Sequence, residues 1–304
     1  MKFDPEKYRI FEAITGSRLY GLANEFSDTD YRGVCLPPIN ILLNPFENFE
    51  QKDSGFEETD RVLYSLPKFM KLCADGNPNI IELLFIPRQN IVYKSRIWDK
   101  IIQNKQYFIS KKVKHTFTGY AFAQLKRIER HRQWLLNPIT ECPDRKNFGL
   151  PEMPEFGFEK LQNILHAPKE TIRDEYREYA SKEMAYRSKK DDYDQYQNWF
   201  KTRNPDRFVL EEKFGYDTKH ASHLFRLMTE GKELLLTGNI TFPLPNAEEI
   251  LAIKNGAYSY GMMIELAKSM EKDFETWYEM STLPFSSDKK ALTELYFDVI
   301  IPSD

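Results

Sequence analysis

The 304-residue sequence predicts an α+β chain. A core with a small mixed β-sheet covers about residues 1–108, and a helical domain follows over 109–304. Three observations lead there. Extended runs bounded by turn residues fall in the first third, at Ile10–Thr15, Tyr31–Leu36 and within 47–65. Helical patterns beginning at Ser65 and Ser95 are interleaved with them, as expected of strands and helices that share one core. From Ser110 onward helical spacing dominates.

A chain of this length can bury a sizeable core, as one large or two modest domains. Its net charge of −3 gives no global attraction to nucleic acid, so any basic surface must be local. The three cysteines, Cys35, Cys73 and Cys142, lie far apart, without a C-x-x-C pair or a histidine at zinc-binding spacing. That argues against a disulfide scaffold and for a reducing compartment. The opening MKFDPEKYRI has no apolar signal core, and no apolar run reaches membrane-spanning length. A soluble, cytoplasmic protein is expected.

Taken in order, Asp4-Pro5 predicts a capped helical turn, and Ile10–Thr15 a strand that enters a tight Gly16-Ser17 turn and a short helix. Ten residues beyond Ser17 stands Asp28-Thr29-Asp30, leading into a second extended stretch. On a strand, residues two apart share a face, so Asp28 and Asp30 would project carboxylates side by side, about 7 Å apart. Two such charges repel unless a cation lies between them, and all-oxygen ligation suits Mg²⁺ or Mn²⁺. The Gly-Ser turn offers backbone N–H groups and a hydroxyl to a phosphate.

Gly16-Ser17, ten residues, then Asp28-x-Asp30 with apolar flanks resembles the signature of the DNA polymerase β-type nucleotidyltransferase superfamily. The fuller string GSRLYG…SDTDYRGV is similar to a phage and bacterial branch with RNA-repair-associated members. The resemblance implies that Asp28 and Asp30 are catalytic metal ligands, with Gly16, Ser17, Arg18 and Ser27 holding the NTP. It also implies a third carboxylate on a neighbouring strand. Residues 47–65 read as a hairpin turning at Asp53-Ser54-Gly55, and Asp60 sits where charge gives way to apolar strand, so it is the candidate. Glu58 and Glu82 are the alternatives. Glu82 stands inside the apolar run Ile80–Leu84, and a buried partner would explain it as well as the site would.

Residues 111–136 predict a long helix in which Lys111, Lys112, Lys114, Lys126, Arg127, Arg130 and Arg132 face one acid, Glu129. This is a local positive field or a solvated face. It ends near Trp134, which could stack on a base or pack. Residues 137–210 begin with a proline-rich loop and continue as densely charged helix, a substrate-specific insertion or a solvated arm.

Farther on, Lys219, Ser222, His223 and Arg226 fall within about 100° of a helix whose other side is apolar. Gly231 is expected near its end. By the resemblance, Lys219 meets the triphosphate, supported by His223 and Arg226. Helices beyond Asn246 read as architectural. The implied activity is metal-dependent transfer of a nucleoside monophosphate from an NTP to a hydroxyl, untemplated, with an RNA or tRNA 3′ end as acceptor. Nucleotidylation of a protein or small molecule is the second possibility, and a non-catalytic RNA-binding protein the third.

Overall fold

The computed structural model describes residues 3–54 and 60–301, the Asp206 side chain apart. Glu57 and Glu58 lie outside the described residues. β-branched and aromatic residues make β1 (Arg9–Thr15), and β2 (Asp30–Cys35) pairs antiparallel to it, Phe11 opposite Val34 and Thr15 opposite Asp30. β3 (Gln51–Asp53) and β4 (Arg61–Ser65) pair antiparallel as the hairpin's arms, with Asp53 still in the ladder opposite Val62; Gly55 of the expected turn lies outside the described residues. β5 (Ile91–Lys94) closes the other edge. The order is β3-β4-β2-β1-β5, and β4 runs parallel to β2 while every other pair is antiparallel, so the sheet is mixed as expected.

Helices interleave with these strands: α1 (Gly16–Tyr20), α2 (Ile39–Leu42), α3 (Leu66–Ala74), α4 (Pro78–Ile81) and α5 (Arg96–Gln103). The Ser65 hydroxyl accepts from Lys68 N–H and Pro67 sits in the first turn, so α3 starts where its cap signal lies. α3 and α5 cover one face of the sheet, where Phe11 stacks on Trp98 at 3.9 Å between centroids. Both rings are buried, and each contributes about 1.5–3 kcal/mol by leaving water. Cross-strand partners share a face, so this face carries Phe11 beside Val34, then Ala13 beside Arg32, then Thr15 beside Asp30. Apolar packing gives way to charge along the sheet.

The remaining helices are α6 (Val113–Leu136), α7 (Phe158–His166), α8 (Asp174–Thr202), α9 (Pro205–Phe214), α10 (Thr218–Thr237), α11 (Ala247–Lys254), α12 (Tyr260–Met280) and α13 (Lys289–Ile300). None is long and apolar enough to cross a membrane. The chain forms two compact units, one of residues 1–128 with 218–304 and one of residues 129–217. Spatial packing thus groups the last third of the chain with the sheet. In the first unit, α10 packs closely on α6 and α12. A Cβ at Gly231 would lie 3.0 Å from both Phe117 and Phe274. Gly231 therefore permits a close helix crossing, and the helix ends instead at Gly238, whose φ of 69° is left-handed.

In the second unit α7 packs on α8 through Leu161, Ile164 and Ala180. Glu183, fully buried, accepts two bonds from Arg145 at 3.0 and 2.6 Å and one from Arg187 at 2.9 Å. This bidentate pair is what lets a carboxylate leave water. Trp134 packs against His131, Tyr196 and Trp199 and is buried, so packing accounts for it.

Candidate active site

The first unit contains a cleft of about 590 Å³ lined by the end of β1, the α1 turn, the loop into β2, the start of β4, and one side of α10. It gathers Gly16, Ser17, Ser27, Asp28, Asp30, Asp60, Glu82, Lys219, His223 and Arg226. Arg18 is placed outside that lining. Its guanidinium donates to the carbonyls of Ser27, at 2.6 Å, and Asp28, at 3.3 Å, so it holds the loop that presents Asp28.

Gly16 has a φ of 65°, and a Cβ there would lie 1.8 Å from Asp30 Oδ2. Only glycine lets the turn pass this close to the carboxylate. Strand β2 begins at Asp30, so Asp28 stands in the preceding loop rather than on the strand, as i, i+2 spacing alone had suggested. The β2–β4 ladder starts with Tyr31 opposite Arg61, and Tyr31 N–H donates to the Asp60 carbonyl at 2.8 Å. One step before that pair, Asp60 lies alongside Asp30. A parallel pairing between strands thirty residues apart brings together what no local pattern joins.

Burial pushes the Asp30 carboxyl above the ordinary aspartate range, and the charges of Asp28 and Asp60 push the same way, against Arg32 and Lys219. Asp28, Asp30 and Asp60 line the one cleft as oxygen donors, the ligand type that suits a hard divalent cation. Asp60 is gripped from β2 by Arg32, whose two terminal nitrogens donate to its two carboxylate oxygens at 3.3 and 3.2 Å.

On α10 the polar arc meets the cleft, but it is graded in depth. Lys219 and His223 are exposed, whereas Ser222 and Arg226 are buried. Arg226, 4% exposed, donates to Glu230 at 3.0 Å, Glu82 at 3.3 Å, the Tyr20 hydroxyl at 3.1 Å and Asn79 at 3.3 Å. The Tyr20 hydroxyl in turn donates to Glu82 at 2.8 Å. One guanidinium cannot balance two buried carboxylates. Desolvation outweighs its pull, so Glu82 is raised and Glu230 is pushed up to about 8. Arg226 and Glu82 therefore spend their charge on each other. They fix α10 to α1 and to the Glu82 turn, a positioning role for both.

Lys254 escaped sequence reading. At the end of α11, a helix that looked architectural, it lines the cleft, donates to the Leu22 carbonyl at 3.0 Å, and has its pKa lowered by burial and then by Lys219, with Asp28 opposing. A last-turn lysine is a common helix terminus, so nothing marked it. Arg32 was more legible, two residues after Asp30 and hence on the same face.

The basic run from Lys111 into α6, which begins at Val113 and not at residue 111, is not one free field. Lys112 pairs with Asp75 at 2.7 Å, Lys114 pairs with Glu275, and Lys111 donates to the Tyr278 carbonyl at 3.1 Å.

Residues 7–138 match the model of a family described as the RNA repair pathway DNA polymerase beta family, RlaP. A phage T4 protein, described as an uncharacterized 38.9 kDa protein in the nrdC-mobD intergenic region, is 24% identical over 297 residues, covering 88% of each chain. No solved structure matches. The family match takes in the whole sheet, with Gly16, Asp28, Asp30 and Asp60, and stops before α10. The match over residues 7–138 agrees with the resemblance to the DNA polymerase β-type nucleotidyltransferases, and the phage T4 relative with its phage and bacterial branch.

Proposed function

We propose that the cleft transfers a nucleoside monophosphate from an NTP to an acceptor hydroxyl, with an RNA or tRNA 3′ end as the acceptor and no template. One observation carries the reading: the Gly16 turn lies so close to Asp30 that no Cβ fits, with Asp28, Asp60 and Lys219 around the same cleft. A phosphate seated on that turn is brought directly against the carboxylates.

Asp28, Asp30 and Asp60 would hold Mg²⁺ or Mn²⁺, which lowers the pKa of an attacking hydroxyl and offsets phosphate charge. The chain's own groups do the rest. Gly16 and Ser17 orient the triphosphate so that the acceptor oxygen bonds to the α-phosphorus as the bond to the pyrophosphate oxygen breaks. Lys219, exposed at the first turn of α10, offsets the charge that builds on the departing pyrophosphate, with His223 beside it. Lys254 adds positive charge next to Asp28. Arg18 and Arg226 position the loop and the helix. Arg32 holds Asp60 in line with Asp30.

The second reading, a protein or small-molecule hydroxyl as acceptor, gains from the internal pairing of Lys111, Lys112 and Lys114, which leaves less free positive charge at the start of the basic run. The test is incubation with each α-³²P-labelled NTP, Mg²⁺ and total RNA. Label on RNA supports the main reading, and label on protein moves the acceptor to the second. Bound RNA with no transfer of label in any arm would favour the non-catalytic RNA-binding protein and sink the enzyme.

A further inference from the structure

The loop between α1 and β2 carries Phe26, whose ring is 87% exposed and lines the cleft. A ring this open is costly in water, and among the described residues no other large aromatic lining the cleft is as exposed. Tyr20 is buried in the Arg226 network, and Tyr64 is partly buried on β4.

The backbone that bears Phe26 is nonetheless pinned on both sides. Before it, the Leu22 carbonyl accepts from Lys254 at 3.0 Å. Around it, Asn24 Oδ1 accepts from Phe26 N–H at 3.1 Å and from the Ser27 hydroxyl at 3.0 Å, and Ser27 Oγ accepts from Asn24 N–H at 2.9 Å. After it, Arg18 holds the carbonyls of Ser27 and Asp28. The loop is built to keep an apolar face beside the carboxylates, since Phe26 precedes Asp28 by two residues and so lies within about 7 Å of it along the backbone.

We propose that Phe26 is the stacking platform for the base of the bound NTP. This rests on the nucleotidyltransferase reading and extends it to how the base is held. A nucleotide whose phosphates lie against Gly16 and Lys219 carries its base one sugar away from the reacting phosphate, within the reach of a ring two residues along the chain from Asp28. Stacking needs only a π-face, so such a platform grips all four bases and ranks them by stacking area. Purine NTPs would bind more tightly than pyrimidine NTPs.

The test is calorimetric titration of the full chain with ATP and, separately, with inorganic tripolyphosphate, both with Mg²⁺ and without acceptor. Phe26→Ala should weaken ATP binding on the order of tenfold, Phe26→Trp should restore it, and tripolyphosphate should bind all three proteins alike. Equal weakening of ATP and tripolyphosphate would overturn the inference in favour of a purely structural loop residue. Unchanged ATP binding alongside weakened binding of an RNA oligonucleotide would assign the ring to the acceptor's base and overturn it too. Failure of the wild type to bind either phosphate ligand would bring down the nucleotidyltransferase reading itself, a result distinct from both.

Discussion

Gly16→Ala is the smallest change that reaches the centre of the cleft. The added methyl would sit 1.8 Å from Asp30 Oδ2, whereas real Cβ atoms essentially never come within 3.0 Å of a neighbour, so the carboxylate must retreat by roughly 1.2 Å. The atom in the way is the far end of a side chain, which rotates more readily than backbone moves. A non-glycine residue at a φ of 65° adds strain of about 1–3 kcal/mol. The fold should therefore survive with a modestly lower melting temperature while Asp30 points elsewhere. Misplacing a reacting group by about 1 Å costs on the order of a hundredfold in rate, or about 2.7 kcal/mol of barrier. Calorimetry and Mg²⁺-dependent transfer of labelled nucleotide, run side by side, check this. A folded Gly16→Ala protein with wild-type transfer would refute the argument that the turn and Asp30 form one site.

Other outcomes follow from the same geometry. Arg226→Met strands Glu82 and Glu230 in the core and should cost about 3–5 kcal/mol in denaturant unfolding, whereas Lys219→Met, at an exposed position, should leave stability unchanged and weaken tripolyphosphate binding. Glu230 is held above its unfolded pKa, so the folded state binds the extra proton. Stability is then fully present below the ordinary glutamate range and falls as pH rises towards about 8; melting temperatures followed across that window should show the fall, and Glu230→Gln should flatten it. Asp30→Asn removes a half-buried charge that Asp28 and Asp60 oppose, so without divalent ions it should melt at or above the wild-type temperature, and it should lose the stabilisation that Mg²⁺ gives the wild type.

What was legible in the sequence was what local chemistry specifies. The run into Gly16, the Ser65-x-Pro67 helix start and the Lys219–Arg226 arc each follow from residues within one or two turns of one another. The α+β class and the superfamily resemblance came from that level, and both agree with the structure and the family match. What was hidden depends on distant partners. Arg226 looked like one more base on a polar face, and only its meeting with Glu82, 144 residues away, shows that its charge is already engaged. Lys111, Lys112 and Lys114 looked like free charge until Tyr278, Asp75 and Glu275 came beside them. Gly231 was ambiguous in kind, because a glycine suits both a helix stop and a tight crossing. The register that sets Asp60 beside Asp30 belongs to a parallel pair, which has no short-range turn to announce it.

The most direct measurement is a paramagnetic titration of Mn²⁺ into the wild type and the Asp28→Ala/Asp30→Ala protein, each with and without NTP. Wild-type protein should take up Mn²⁺ and hold it more tightly when NTP is present, as it would if a phosphate on the Gly16 turn met the carboxylates. The double variant should fold and lose both effects. Equal Mn²⁺ uptake by the two proteins, indifferent to NTP, would contradict the claim that Asp28, Asp30 and the glycine turn form a single metal–nucleotide site.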